Sequence, residues 1–191
     1  MIKEVKREIR ILAFDDGPFK PRSQGKVILI GVVFRGGEFM DGLLKTEVEI
    51  DGNDAEHRII DITNKTKHKD QLRVIMLDGI TFGGFNTVNI KNINYATGLP
   101  VVVVSRKKPN LEEFKSALSK LENRKDRLKA VEDAGPVYPA GKVCFQCVGI
   151  DIKDAERVIK TASTRSDIPE PLRVAHLIAS GVVLGESVGR A

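Results

Sequence analysis

The sequence predicts an α/β domain: a mixed five-stranded sheet in the order 3-2-1-4-5, with helices on both faces. Three observations lead there. Three apolar, β-branched segments come first, joined by short turns, and read as an antiparallel meander. Beyond residue 50, strand-like and helix-like segments alternate, the pattern of parallel β-α-β units. The chain has 191 residues, 41% apolar and 30% charged, long enough for one core and too apolar for disorder. Residues 1–191 therefore read as a single domain.

Arg7–Phe14 is the first strand, apolar on both faces through Ile9, Ile11, Leu12 and Phe14, and Asp15-Asp16-Gly17-Pro18 stops it. Lys26–Phe34 (KVILIGVVF) is continuous and β-branched, as a central strand should be. Arg35-Gly36-Gly37 turns the chain into Leu43–Ile50, whose alternation suits a half-exposed strand. Asp51-Gly52-Asn53-Asp54 opens a helix with Ile59, Ile60 and Ile62 on its buried side. Leu72–Leu77 is the fourth strand and ends at Asp78-Gly79. Gly83-Gly84 precedes a second helix, Phe85–Thr97, which Gly98 and Pro100 close. Val101–Val104 is the fifth strand, and Leu111–Leu121 a third helix with Phe114, Leu118 and Leu121 on one side. After a loop at Gly135-Pro136 and Pro139-Ala140-Gly141 comes a C-terminal β-α-α extension: strand Val143–Val148, then helices Ile152–Ala162 and Pro169–Ser180. Right-handed crossovers set strand 1 beside strand 4 and parallel to it. That is the ribonuclease H-like architecture.

Composition removes several function classes. No apolar run reaches the roughly 18 residues of a membrane span. The first eight residues alternate charges where a signal peptide would be apolar, so the expectation is a cytoplasmic protein. Cys144 and Cys147 stand alone; on a strand they face opposite sides, and a zinc site needs two more ligands. The net charge of +5 is concentrated: residues 105–129 hold nine Lys/Arg and four Asp/Glu, which accounts for all of it. Such a segment, beginning at Arg106, Lys107 and Lys108, suits the phosphates of a nucleic acid, DNA or RNA. Ion pairing along a solvated helix face describes it equally well.

The chemistry rests on two strand ends. Asp15 follows strand 1 and Asp78 follows strand 4, neighbours about 4.8 Å apart at the point where chain progression reverses. Of Asp15 and Asp16 only one can share a face with Asp78; Asp15 is favoured, with Asp16 behind it. Carboxylates without thiolates suit Mg²⁺ or Mn²⁺. A third ligand is expected where strand 3 meets its helix, at Asp51 or Asp54. The loop Asp78–Gly84 brings Thr81, Gly83 and Gly84 near a helix N-terminus, where backbone N–H groups suit phosphate, but it lacks the Lys-Ser/Thr of a nucleoside-triphosphate loop.

These residues also carry a resemblance. Asp15-Asp16-Gly17-Pro18-Phe19, Leu77-Asp78-Gly79-Ile80-Thr81-Phe82-Gly83-Gly84-Phe85-Asn86, Thr97-Gly98-Leu99-Pro100-Val101 and Ile168-Pro169-Glu170-Pro171-Leu172-Arg173-Val174-Ala175-His176 resemble an archaeal family, domain of unknown function 99, along nearly the whole chain. That family is similar to endonuclease V, which cleaves inosine-containing nucleic acid with Mg²⁺. The resemblance implies metal-ligand roles for Asp15 and Asp78 and matches the Pro-Glu-Pro-x-Arg helix start at Pro169–Arg173. Two devices of endonuclease V are missing: Phe39-Met40-Asp41-Gly42 replaces its Pro-Tyr-Ile-Pro-Gly wedge, and Gly149-Ile150-Asp151 its Gly-His-Arg. The function expected is a Mg²⁺- or Mn²⁺-dependent phosphodiester hydrolase, with Arg173 and His176 supporting the site from the last helix. The alternative is a nucleic-acid-binding protein that kept the fold and lost the chemistry. A homodimer is open to either.

Overall fold

The computed structural model describes residues 4–21, 23–118 and 123–188. β1 (Arg10–Asp16), β2 (Lys26–Arg35) and β3 (Phe39–Glu49) form the expected meander. α1 (Ala55–Lys65) leads through a single 3₁₀ turn to β4 (Val74–Asp78), which lies parallel to β1. A small hairpin, β5 (Thr81–Phe82) and β6 (Asn86–Thr87), precedes α2 (Ile90–Thr97), and β7 (Val101–Ser105) continues the parallel sheet beside β4. There follow α3 (Leu111–Leu118), α4 (Arg124–Asp133), β8 (Tyr138–Ala140), β9 (Val143–Val148), α5 (Ile152–Ala162) and α6 (Glu170–Leu184). No helix among the described residues is long and apolar enough to cross a membrane.

The main sheet runs β3-β2-β1-β4-β7-β9-β8. The five strands expected from the sequence stand in the expected order, but the count of five is corrected to seven. β9 joins antiparallel to β7, and β8 adds an edge strand. β8 falls in the stretch read as a loop because of Pro139; at an edge a proline costs no ladder bond, so the ring is tolerated there.

Two buried layers sandwich the sheet. Ile11, Ala13, Ile30, Met76, Val104 and Phe145 face α5 and α6. Leu12, Phe14, Leu29, Leu77 and Val103 face α1 and α2. Phe14 is fully buried and lies across Gly31 of β2: a Cβ there would sit 2.7 Å from its ring. A glycine inside a central strand thus lets the aromatic ring lie flat just before the aspartates.

Two helix boundaries differ from expectation. The second helix starts at Ile90 rather than Phe85, because Gly83 and Gly84 take positive φ (+53° and +92°) and fold the chain into the β5–β6 hairpin. Asn89 then caps α2 by accepting from Lys91 N–H at 3.0 Å, and left-handed Gly98 ends it as expected. The third helix is seen over Leu111–Leu118; Leu121, and Lys120 and Glu122 of the basic segment, lie outside the described residues.

Candidate active site

Register builds the site. Phe14 is level with Leu77 across the parallel pair, so Asp15 and Asp78 come next, at neighbouring strand ends. Alternation puts both on the face of Ala13 and Met76, beneath α6. Asp15 is 6% exposed, and its Oδ2 hydrogen-bonds His176 Nδ1 at 2.9 Å. Facing a carboxylate, that ring nitrogen carries the proton. Asp15 Oδ1 accepts from Asp16 N–H at 2.9 Å. Asp16 points to the other face, where its Oδ2 accepts from Gly83 N–H at 2.8 Å.

The result is a knot of negative charge. Burial, then the charges of Asp15 and Asp78, push the Asp16 carboxyl up to about 7 despite the Gly83 bond. Burial and Asp15 raise Asp78 to about 6, against the pull of Arg106 and His176. Among the described residues Asp78 forms no ion pair. The hydrogen bond to Asp15 raises the His176 imidazole; burial opposes it and the Asp15 and Asp78 charges add to it.

Both candidates for a third carboxylate are engaged by hydrogen bonds of their own. Asp54 is consumed by Glu49 N–H (2.9 Å), Asn86 Nδ2 (2.8 Å) and Arg58 Nε (3.2 Å). Asp51 accepts from Phe85 N–H at 2.9 Å. The charges felt by Asp78 come from Asp15, Arg106 and His176, not from either of these. Asp16, on the other face, feels the charges of both Asp15 and Asp78. The helix-start reading of Thr81, Gly83 and Gly84 is corrected: the hairpin intervenes, and Gly83 N–H already serves Asp16.

Arg106, Lys107 and Lys108 are exposed just past the end of β7, and the charge of Arg106 is felt at Asp78. Arg124, Lys125 and Lys129 are exposed on α4, but Arg127, counted in the basic segment, is only 5% exposed and points inward. The signal for this was present: Arg127 is spaced from Ala130, Val131 and Ala134 as part of an inward stripe. Arg173 pairs with Glu170 through Nε (2.9 Å) and a terminal nitrogen (2.6 Å) and so braces the start of α6. Cys144 and Cys147 are free, and burial raises the Cys147 thiol, which suits packing rather than reactivity. A cavity of about 880 Å³ opens at the opposite end of the sheet, near Arg10, Leu72 and Pro100.

A large mixed sheet with helices on both faces is a fold also seen in solved endonuclease V structures. Endonuclease V from Ciona intestinalis, bound to a 24mer DNA containing an inosine followed by a ribo-adenosine, shares the fold: TM-score 0.58, 13% identity, 87% of this chain and 82% of that one. The chain itself belongs to the endonuclease dU family, whose profile matches residues 7–183. A UPF0215 protein of Methanothermobacter thermautotrophicus is 51% identical over 99% of this chain and 95% of its own length. The crystal structure of an Archaeoglobus fulgidus protein of unknown function is 41% identical, with TM-score 0.85 over 91% of this chain and 98% of that one. An archaeal family related to endonuclease V, expected from the motifs, is what the relatives bear out.

Proposed function

We propose that the protein is a Mg²⁺- or Mn²⁺-dependent endonuclease that hydrolyses a phosphodiester beside a deaminated base, deoxyuridine being the base its family description names. One observation carries this reading: two carboxylates, buried Asp15 and half-buried Asp78, close adjacent parallel strands, and among the described residues no lysine or arginine pairs with either. Uncompensated negative charge is what a divalent cation would relieve.

The donor set fits a hard ion within limits. Among the described residues no three His, Cys, Asp or Glu side chains are grouped to hold one metal. Mg²⁺ is commonly held by one or two carboxylates, with waters and substrate phosphates completing the shell. Asp15 and Asp78 would supply those carboxylates, with Asp16 adding charge from below. When bound, the ion would polarise a phosphate oxygen and lower the pKa of a water. His176, its Nδ1 fixed by Asp15, keeps Nε2 for holding or passing a proton. Arg106, Lys107 and Lys108 would grip the backbone on one side of Asp78, and the exposed cations of α4 would extend that track.

The test is cleavage of end-labelled oligonucleotides carrying deoxyuridine, inosine or neither, with Mn²⁺ or Mg²⁺, by wild type and Asp78→Asn. Metal-dependent cutting at the altered base, lost in Asp78→Asn, supports the proposal. The replacement of the Gly-His-Arg and wedge motifs by Gly149-Ile150-Asp151 and Phe39-Met40-Asp41-Gly42 favours a second reading, a non-catalytic nucleic-acid binder. Salt-sensitive binding without cleavage, retained in Asp78→Asn, would establish that one and overturn the first.

A further inference from the structure

The buried cation of α4 has no place in the chemistry above. Arg127 is 5% exposed, yet its guanidinium is spent on two main-chain carbonyls from different segments. One terminal nitrogen donates to Asp51 O at 2.7 Å and the other to Phe85 O. These two residues are already laced together: Phe85 N–H donates to Asp51 Oδ1 at 2.9 Å, and Asp51 N–H donates to Gly83 O at 2.8 Å. Gly83 N–H is the donor that holds Asp16. The lacing leaves no slack. A Cβ at Gly84 would lie 2.4 Å from Asp51 Oδ1, and one at Gly83 would lie 2.9 Å from Val27 Cγ1. Asp51 is itself a non-glycine residue at φ 55°. The ring of Phe114 on α3 packs on the ring of Phe85, centroids 5.9 Å apart, so both helices of the basic excursion meet this loop.

We propose that Arg127 is a positioning residue: from the inward side of α4 it locks the Gly83–Phe85 loop and through it Asp16, so that the helix whose outer side meets the substrate backbone also sets the geometry of the site. The outer side of α4 carries Lys125 and Lys129, two exposed cations on the helix whose inner side holds Arg127. A polyanion pressed onto that side would hold α4 in place and keep the loop closed; without it the loop opens more often. This inference rests on the proposed function only for what the site does, not for the coupling itself.

Amide hydrogen exchange on residues 80–87 tests it, alongside titration of the metal-free protein with Mn²⁺ by calorimetry. Arg127→Met keeps the apolar stem and removes both donors; Arg127→Lys keeps the charge and one donor group. The expectation is at least tenfold faster exchange at Gly83 and Phe85 in Arg127→Met, a tenfold weaker Mn²⁺ affinity, and partial recovery of both in Arg127→Lys. A duplex oligonucleotide should slow exchange at Gly83 in wild type and not in Arg127→Met. Wild-type exchange and Mn²⁺ affinity in Arg127→Met would overturn the proposal. So would faster exchange spread evenly over the sheet, since Arg127 would then be a general core residue. If Arg127→Met does not fold, Arg127→Lys decides by the same two readouts. If wild type binds no Mn²⁺, the function proposed above fails while exchange still judges the coupling.

Discussion

Replacing Asp16 with Asn should stabilise the metal-free protein, and the amount depends on pH. Asn keeps an oxygen for Gly83 N–H and cannot ionise. In wild type the Asp16 carboxyl stands at about 7 against 3.8 in an unfolded chain. The folded state therefore binds the proton more tightly than the unfolded state does. Stability from this group is full below pH 4 and is lost as pH rises towards 7. The whole displacement is worth about 4 kcal/mol at pH 8. Asp16 keeps partial contact with solvent, which screens the charges, so about 2 kcal/mol is the working figure. For a domain of this size that is about 4–8 °C in Tm. The assay is thermal and urea denaturation of wild type and Asp16→Asn in chelator at pH 4.5, 6 and 8. The variant should be the more stable at pH 8, with the gap closing towards pH 4.5. Added Mn²⁺ should narrow the gap at pH 8 by stabilising wild type more. A gap that is absent at pH 8, or the same at every pH, would refute the charge-repulsion argument.

Three further outcomes are expected. Asp54→Ala strips an acceptor from Asn86, which is fully buried, and from Glu49 N–H; it should cost about 2–3 kcal/mol in urea denaturation while leaving Mn²⁺ affinity unchanged. A fall in that affinity would return Asp54 to the ligand set. The His176 imidazole, followed by NMR, should titrate above 6.5 in wild type and fall in Asp15→Asn, and Mg²⁺ should lower it by taking up the Asp15 charge. The stability this contact lends is full below pH 6.5 and is lost as pH rises through the folded value. The double change Lys107→Gln with Lys108→Gln should weaken binding to all duplex sequences alike and reduce the salt slope by about 2, measured by anisotropy from 50 to 200 mM salt.

Much of this was readable from one chain. The strand assignments rest on β-branched runs such as Lys26–Phe34 and Val101–Val104, where burial on both faces leaves little choice. The placing of Asp15 beside Asp78 followed from the strand order that right-handed crossovers favour, with strand 4 next to strand 1. What stayed illegible was decided by partners distant in sequence. Asp51 and Asp54 look alike until Phe85, Asn86 and Arg58 claim them. Gly83-Gly84 read as a helix start because nothing local shows that Asp16, 67 residues earlier, takes the Gly83 amide. His176 was legible as a support from the last helix; that its partner is Asp15 depends on how α6 crosses β1 and β2.

The Asp15–His176 contact spans 161 residues, from the first strand to the last helix. Links of such separation are among the last to form, because the loop they close is the longest. On a ribosome, both aspartates would emerge and pair well before the imidazole exists. Competence would then be conferred at the end of synthesis, when α6 settles onto the sheet, and a polypeptide cut ahead of Glu170 would lack both the imidazole and the apolar cover of β1 and β2.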